Sequence, residues 1–300
     1  MKVKTIAVVG ANGDLGSRIC KYLSQNGVLV IAIVRKSSNI NSIKNIPNIN
    51  INRIDYDNFN ELVNVFDGLS CVICTISGLD DVIIKTQTIV LDAAEKAQVE
   101  KFIPSDFAVD FRNIPENTNR NLELRKKFKI RLDSSTIKIT SILNGVFSDM
   151  LVTVMPLILY KIRRVVYFQN PDQKIDFTTI ETTAQYTALA ALDENSPRYL
   201  QITTDELSSR DFVDMMSNIT GKKYKLLNGG NLKMLKLYIF LAKLFSFDKN
   251  ALYPAWQGMQ YFYTLFSGVS KFDKLDNDRY KQVNWVKAEG IISNYCKKVQ

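Results

Sequence analysis

Nine residues near the start of the chain, Val8-Val9-Gly10-Ala11-Asn12-Gly13-Asp14-Leu15-Gly16, constrain the fold more than any other stretch. They follow an apolar run, 5–9, and open a segment in which Leu15, Ile19 and Leu23 recur every four residues. That is a buried strand, a tight turn and an amphipathic helix in succession. In such a turn Gly10 permits the bend, Gly13 lets the backbone approach a pyrophosphate, and Gly16 lets helix and strand pack closely. Asn12, Asp14 and Leu15 lie in the same turn, and the N–H groups of the helix start supply positive potential for the phosphates. The alternation continues. Further strands are expected at 28–34, 49–54, 70–76, 101–104 and 138–143, with helices at 59–66, 81–97 and 122–132 between them. This order predicts an α/β fold, a Rossmann-type doubly wound parallel sheet, with a nucleotide-binding domain over 1–150. Residues 151–300 read as a smaller C-terminal substrate-binding region that partly returns to the sheet. Within it, helices are expected at 182–192 and 209–219, the second stopped by Gly221, and a strand at 199–203.

The end of the second strand chooses between dinucleotides. An NAD site usually offers a carboxylate there for the ribose hydroxyls, whereas this chain reads Ile33-Val34-Arg35-Lys36 and has no acid until Asp55. Two cations suit a 2′-phosphate, with Arg able to grip it in bidentate fashion, and Lys44 is placed in sequence to reach the same anion. NADP(H) is therefore the expected cofactor. A plainer reading leaves Lys36 and Lys44 as solvated surface charges.

Composition removes several chemistries. The chain has no histidine, so no Ser-His-Asp or Cys-His nucleophile and no His-ligated zinc is available, and no metal site is expected. The four cysteines include Cys71-Val-Ile-Cys74, but that pair sits in an apolar run. Residues three apart on a strand face opposite ways, so buried, reduced thiols are expected rather than a disulfide. No signal peptide and no apolar stretch long enough to span a bilayer is evident, which predicts a cytoplasmic protein without stable membrane insertion. A short-chain dehydrogenase would place a Lys four residues after a Tyr; none of the thirteen tyrosines has one, and Tyr160 with Arg164 comes nearest.

Here the chain resembles a family. The Gly10–Gly16 turn, Val34-Arg35 and Lys101-Phe-Ile-Pro-Ser-Asp-Phe107 are similar to the NmrA-like and isoflavone-reductase-like group of atypical short-chain dehydrogenases. So are Lys127-Phe-Lys-Ile-Arg131, Asn144-Gly-Val-Phe147, Pro254-Ala-Trp-Gln-Gly-Met-Gln-Tyr261, Phe266-Ser-Gly268 and Asp276-Asn-Asp-Arg-Tyr280. The resemblance covers essentially the whole chain, and its fifth-strand and tail motifs are more specific than the glycine turn. It implies an NADP-binding fold in which one Lys replaces the Tyr/Lys pair. Lys127 and Arg131 match the Lys-x-x-x-Arg pattern, and their spacing puts both on one helix face. Lys127 would then serve as catalytic base beside nicotinamide and substrate, its pKa lowered by a cationic ring and a partly dry pocket, while Arg131 contacts the cofactor. The opposing reading is that the basic run 125–131 is mostly a solvated face. The resemblance further implies that Thr75, Ile76 and Ser77, with Pro104, Ser105 and Phe107, border the ribose and nicotinamide. Asn144 to Phe147 would line the pocket, and Asp55-Tyr56 would flank the adenine. Asp106 in place of Glu, Ala108 in place of Gly, and a stretch between Arg131 and Ile139 shorter by about two residues depart from the plant enzymes.

The charge is uneven. Residues 1–221 hold 25 basic and 25 acidic side chains, whereas 222–300 hold 14 and 5, so the whole net charge of +9 lies in the last quarter. The nucleotide-binding half is nearly neutral, which argues against nucleic acid as a partner. Tyr253, Trp256, Met259, Tyr261, Phe262, Tyr263 and Phe266 crowd one short segment, as if to cap a pocket for a flat apolar or aromatic substrate, or simply to pack onto the core. The apolar stretch 232–247, broken by Lys233, Lys236 and Lys243, is expected to cover that pocket rather than lie on a membrane. Two functions follow: an NADP(H)-dependent reductase using Lys127 on an apolar carbonyl, quinone or conjugated alkene, or a redox sensor that binds NADP without turnover and acts through a protein partner.

Overall fold

Strand β1 (Thr5–Val9) is buried from Ile6 to Val9, so it reads apolar without alternation, as a strand covered on both faces must. In the computed structural model, which describes residues 4–246 and 251–299, it is the centre of the main sheet. Helix α1 (Asp14–Gln25) leads to β2 (Leu29–Val34) and β3 (Ile49–Arg53). Then come α2 (Phe59–Phe66), β4 (Cys71–Cys74), a wide π-helical stretch Asp81–Thr86 continuing into α3 (Gln87–Lys96), and β5 (Lys101–Ile103). Helix α4 (Arg120–Asp133) precedes β6 (Lys138–Ile139). These strands form one six-stranded parallel sheet in the order β3-β2-β1-β4-β5-β6. Strand order reverses between β1 and β4, and the crevice at their carboxyl ends is where an open α/β sheet binds ligands.

The expected sixth strand, 138–143, is two short ones. Thr140 N–H still donates to Phe102 O at 3.1 Å, but Ser141 N–H turns to Arg198 O at 2.9 Å. From there β7 (Ser141–Leu143) leaves the main sheet, and the chain continues through β8 (Val146–Phe147), β9 (Ile158–Leu159), β10 (Arg164–Tyr167), β11 (Ile175–Thr178) and α5 (Ile180–Leu192). It then forms β12 (Tyr199–Gln201), β13 (Asp205–Leu207), α6 (Ser209–Thr220), β14 (Lys225–Asn228), α7 (Leu232–Leu244), α8 (Ala255–Phe266) and α9 (Ala288–Val299). The later strands make three small sheets, β14-β10-β9, β13-β11-β8 and β12-β7, the last a parallel pair.

Three apolar cores follow from this order. On one face of the main sheet Ile19 and Leu23 of α1 pack with Ala184, Ala188 and Ala191 of α5, so a helix from the second half of the chain returns to cover the first. On the other face lie Leu62 and Phe66 of α2, Val90 and Leu91 of α3, and Phe128 and Leu132 of α4. The third core, around Phe177, Phe212, Phe262 and Leu265, holds the C-terminal region together. Cys71 and Cys74 are free and buried on β4, and burial pushes both thiols up to about 12. The tail aromatics divide: Trp256, Phe262 and Phe266 are buried, the two phenylalanines against Phe168, while Tyr253 is exposed.

Candidate cofactor and substrate site

At the end of β1, Gly10 adopts φ +81°, a left-handed conformation that glycine takes without strain, and its N–H donates to Ile33 O at 3.0 Å. Gly13 N–H donates back to Gly10 O at 3.0 Å, and α1 begins at Asp14 with no side chain capping it. Its first-turn N–H groups therefore have no intrahelical partners and face out of the turn. Space is the second constraint. A Cβ on Gly16 would lie 2.4 Å from Gly10 O and 2.8 Å from Thr75 Oγ1, while the Thr75 hydroxyl is held 2.9 Å from Val9 O. The cradle that results fits a pyrophosphate. Asn12 O accepts from Ser42 Oγ at 3.0 Å, which ties the loop after β2 to the turn, and Leu15 packs on the sheet. The Asp14 carboxylate would oppose a phosphate, but it is paired with Arg18 at 2.8 Å, and Arg18 also reaches Glu181 on α5.

The cations after β2 are not equivalent. Arg35 is exposed, with its guanidinium 5.5 Å above the ring of Tyr56, whose hydroxyl points to Ile33 O. Burial pushes that phenol up to about 12, so Tyr56 acts as a neutral platform. Lys36 does not stand free: its ammonium is 3.1 Å from Asp55 Oδ2, and this partner raises its pKa. The two residues expected to serve phosphate and adenine separately are thus engaged with each other. Lys44 is exposed. Arg53, which pattern reading did not single out, donates to Lys36 O at 2.7 Å and Ser38 O at 3.0 Å and so shapes this loop.

Beyond β4 and β5 the carboxyl edge is tightly knit. Ser105 Oγ donates to Ile76 O at 2.7 Å, and Ser105 N–H donates to the buried Gln87 side chain at 2.9 Å. Ile76 and Phe107 are buried, Thr75 is half-buried and Ser77 is exposed. Asp106 is fully buried, and burial raises its carboxyl; Oδ2 accepts from Ser141 Oγ at 2.7 Å, while Oδ1 has no partner among the described residues. Asn144 is equally buried, and its side-chain oxygen is also unpaired among the described residues. Phe147 is half-buried on β8. Gly145, which the resemblance placed among the pocket-lining residues, has φ +68°, and a Cβ there would meet Asp176 O at 2.3 Å, so glycine lets the chain enter β8 in close parallel pairing with β11.

Helix α4 sorts its own charges. Arg125 donates to Asn121 O, Lys126 to Ile114 O at 3.0 Å, and Lys129 pairs with Asp133. The Arg131 guanidinium is clamped by Asp92 at 2.6 Å and Glu95 at 2.5 Å of α3. Glu95 also receives the Ser135 hydroxyl and Thr136 N–H, just ahead of β6, at the amino edge of the sheet and away from the ligand crevice. The cofactor contact expected of Arg131 is thus replaced by a helix–helix clamp. Lys127 is exposed and has no hydrogen-bond or ion-pair partner among the described residues, unlike the other basic residues of this run. The start of α4 is fixed from the tail. Asn119 Oδ1 accepts from Gln257 Nε2 at 2.9 Å, Arg120 N–H donates to Gln260 Oε1 at 3.1 Å, and the Arg120 guanidinium lies 4.6 Å over Trp256. This is what the Pro254–Tyr261 motif does: it holds the helix that carries Lys127.

A cavity of about 310 Å³ opens between α7, α8 and the loop before α4, lined among others by Glu116, Lys236, Phe240, Lys243 and Tyr263. Helix α7 contributes few buried side chains, Leu235 and Ile239, and exposes most of its remaining apolar residues. The segment expected to cover a pocket therefore does so along one edge only; Phe247 at its end lies outside the described residues.

Comparisons with known proteins agree with this architecture. A model described as the NmrA-like family matches residues 2–283. Oxidoreductase aprR of Aspergillus flavus is 26% identical over 233 residues, spanning 75% of this chain and 76% of that protein. Among solved structures, AtPrR2 with NADP+ and (+)pinoresinol superposes with a TM-score of 0.82 at 16% identity, covering 98% of this chain and 99% of that one. The binary complex of leucoanthocyanidin reductase and NADPH from Vitis vinifera gives a TM-score of 0.78 at 14% identity, over 97% and 99% of the two chains. At these identities the two structures speak for the fold.

Proposed function

The chain belongs to the NmrA-like family, and from that premise we propose that it is an NADP(H)-dependent oxidoreductase that reduces an apolar carbonyl, quinone or conjugated alkene by hydride transfer. The observation that carries this reading is the uncapped start of α1 above the Gly10–Gly16 crossing, with Arg35 exposed beside it at the end of β2. Helix amides and dipole suit the pyrophosphate, and the Arg35 fork suits a 2′-phosphate. The NADP+ and NADPH of the two similar structures support the same choice of dinucleotide. When bound, NADPH supplies the hydride.

The chain's own residues then have three tasks. Tyr56 offers an apolar face beside Arg35 for the adenine end. Thr75, Ile76, Ser77, Ser105, Phe107, Asn144 and Phe147 border the ribose and nicotinamide at the carboxyl edge, where the unpaired Asn144 oxygen can accept from a ligand donor. Lys127 holds a proton at Nζ and gives it to the substrate atom left electron-rich by the hydride, completing a two-electron, two-hydrogen reduction. In a chain without histidine, an exposed lysine with no partner among the described residues, on the helix whose start the tail motif fixes, suits that task.

The test is direct. NADPH should raise the unfolding midpoint, adding roughly 2.7 kcal/mol at a hundred times its dissociation constant. NADPH oxidation against a panel of quinones and enones should then show turnover that Lys127→Ala abolishes. Tight binding with no turnover on any compound would instead support the sensor, and absence of a shift would overturn both.

A further inference from the structure

The side of α7 turned away from the core carries a feature that an oxidoreductase reaction does not use. Met234, Leu237, Tyr238, Leu241, Leu244 and Phe245 are all exposed, Leu244 to 63% and Phe245 to 75%. Their steps of three and four residues place them in an arc of about 120° on the helix. Leu235 and Ile239 face the core instead, so α7 is apolar towards the protein and apolar again towards solvent. Lys233, Lys236 and Lys243 run along one flank of the exposed stripe. The last two lie 5.0 Å from the rings of Tyr263 and Trp256 on α8, which fixes their stems beside it.

Charge decides what such a face fits. Residues 222–246 contain six lysines and no Asp or Glu. A second copy seated on the stripe would bring like charges together, which is unfavourable where the helix itself carries no acid to answer them. An anionic lipid surface meets both needs, since apolar side chains enter the headgroup boundary while long lysine stems leave their ammonium groups among the lipid phosphates and carboxylates. No helix among the described residues is long and apolar enough to cross a membrane. A 13-residue α7, roughly 20 Å long, is suited to lying in the interface plane. We propose that α7 is a membrane-surface docking helix, adsorbing the protein reversibly onto anionic bilayers through the Met234–Phe245 stripe and its flanking lysines.

Flotation of the full chain with vesicles tests this. Wild type should float with vesicles containing phosphatidylserine, more weakly with phosphatidylcholine alone, and binding to the anionic vesicles should fall as salt screens the lysines. Replacing two exposed leucines (Leu237→Gln with Leu241→Gln) should reduce partitioning by at least about tenfold, with the unfolding midpoint and NADPH affinity retained. Lys233→Gln, a milder change on an exposed side chain, should reduce it about fivefold on anionic vesicles and leave phosphatidylcholine binding unchanged. No flotation with anionic vesicles, or equal flotation of wild type and variants, would overturn the proposal. So would a concentration-dependent dimer, seen by sedimentation velocity without vesicle binding and lost in the leucine variant, since a second copy would then own the stripe.

Discussion

Replacing Gly16 with alanine adds one methyl group where α1 crosses the end of β1. By helix propensity alone the change favours folding by about 1 kcal/mol. Space opposes it. The new Cβ would stand 2.4 Å from Gly10 O, 2.8 Å from Thr75 Oγ1 and 3.1 Å from Ala11 Cα. Two of these are backbone atoms, and the third is a hydroxyl already held against Val9 O at 2.9 Å, so no flexible side chain can swing aside. Restoring an ordinary contact of 3.4 Å to Gly10 O requires the helix start to recede by about 1 Å. Overpacking of this kind costs about 1–3 kcal/mol, which cancels the propensity gain and leaves a loss of at most about 2 kcal/mol, or a few degrees in the unfolding midpoint. The larger effect falls on the ligand. The same movement withdraws the α1 amides from the pyrophosphate, and weakening charge-assisted hydrogen bonds worth about 1.5–3 kcal/mol raises the dissociation constant for NADPH about ten- to a hundredfold. Titration calorimetry of wild type, Gly16→Ala and Gly258→Ala would check this. Gly258 sits on α8 with nothing within 4 Å of an added Cβ, so its alanine variant should bind NADPH as wild type does. A Gly16→Ala protein with wild-type NADPH affinity would refute the steric reasoning and the placement of the pyrophosphate together.

Three further outcomes are expected. Arg35→Ala should weaken NADPH about ten- to thirtyfold while leaving NADH nearly unchanged, whereas Lys36→Ala should have a much smaller effect because Asp55 already engages that ammonium; equal losses by titration would count against the division of labour. Lys127→Met should lower kcat by at least about a hundredfold with NADPH affinity intact, and unimpaired turnover would remove Lys127 from the proton-transfer step. Arg131→Ala should leave NADPH affinity unchanged but lower stability by about 1 kcal/mol, a modest figure because the clamp is partly exposed. Burial alone would raise the Glu95 carboxyl, but Arg131, Ser135 and Thr136 outweigh it and hold it below the usual range. A lowered folded value stabilises above the ordinary glutamate pKa and is lost as pH falls through the folded value. Acid melts should therefore narrow the gap between wild type and Arg131→Ala, and a gap that widened in acid would contradict the sign.

The first half of the fold was legible because buried parallel strands and amphipathic helices have distinct periods: 5–9, 14–25 and 59–66 coincide with β1, α1 and α2. The break of the run 138–143 was not, because it depends on Arg198 O offering an acceptor from far along the chain. The glycine cradle could be read from spacing, since its geometry is local. The fates of Lys36, Arg131 and Lys127 could not. Whether a cation is free is settled by carboxylates 19, 39 or 36 residues away in sequence, and no periodicity reports them. The structural tasks of Gln87, Gly145 and Gln257 were hidden for a similar reason, each serving a partner distant along the chain.

The return of α5 to the face of α1 has a consequence for synthesis. A nascent chain that has released residues 1–150 already contains every strand of the main sheet and the whole glycine turn. Helix α1 at that stage lacks the cover of Ala184, Ala188 and Ala191, which share a core with its Ile19 and Leu23 and remain to be made. Arg18 likewise waits for Glu181. The cover over α1 is therefore completed only after residue 192 has emerged, although the hydrogen bonds that shape the glycine turn all lie within residues 1–150.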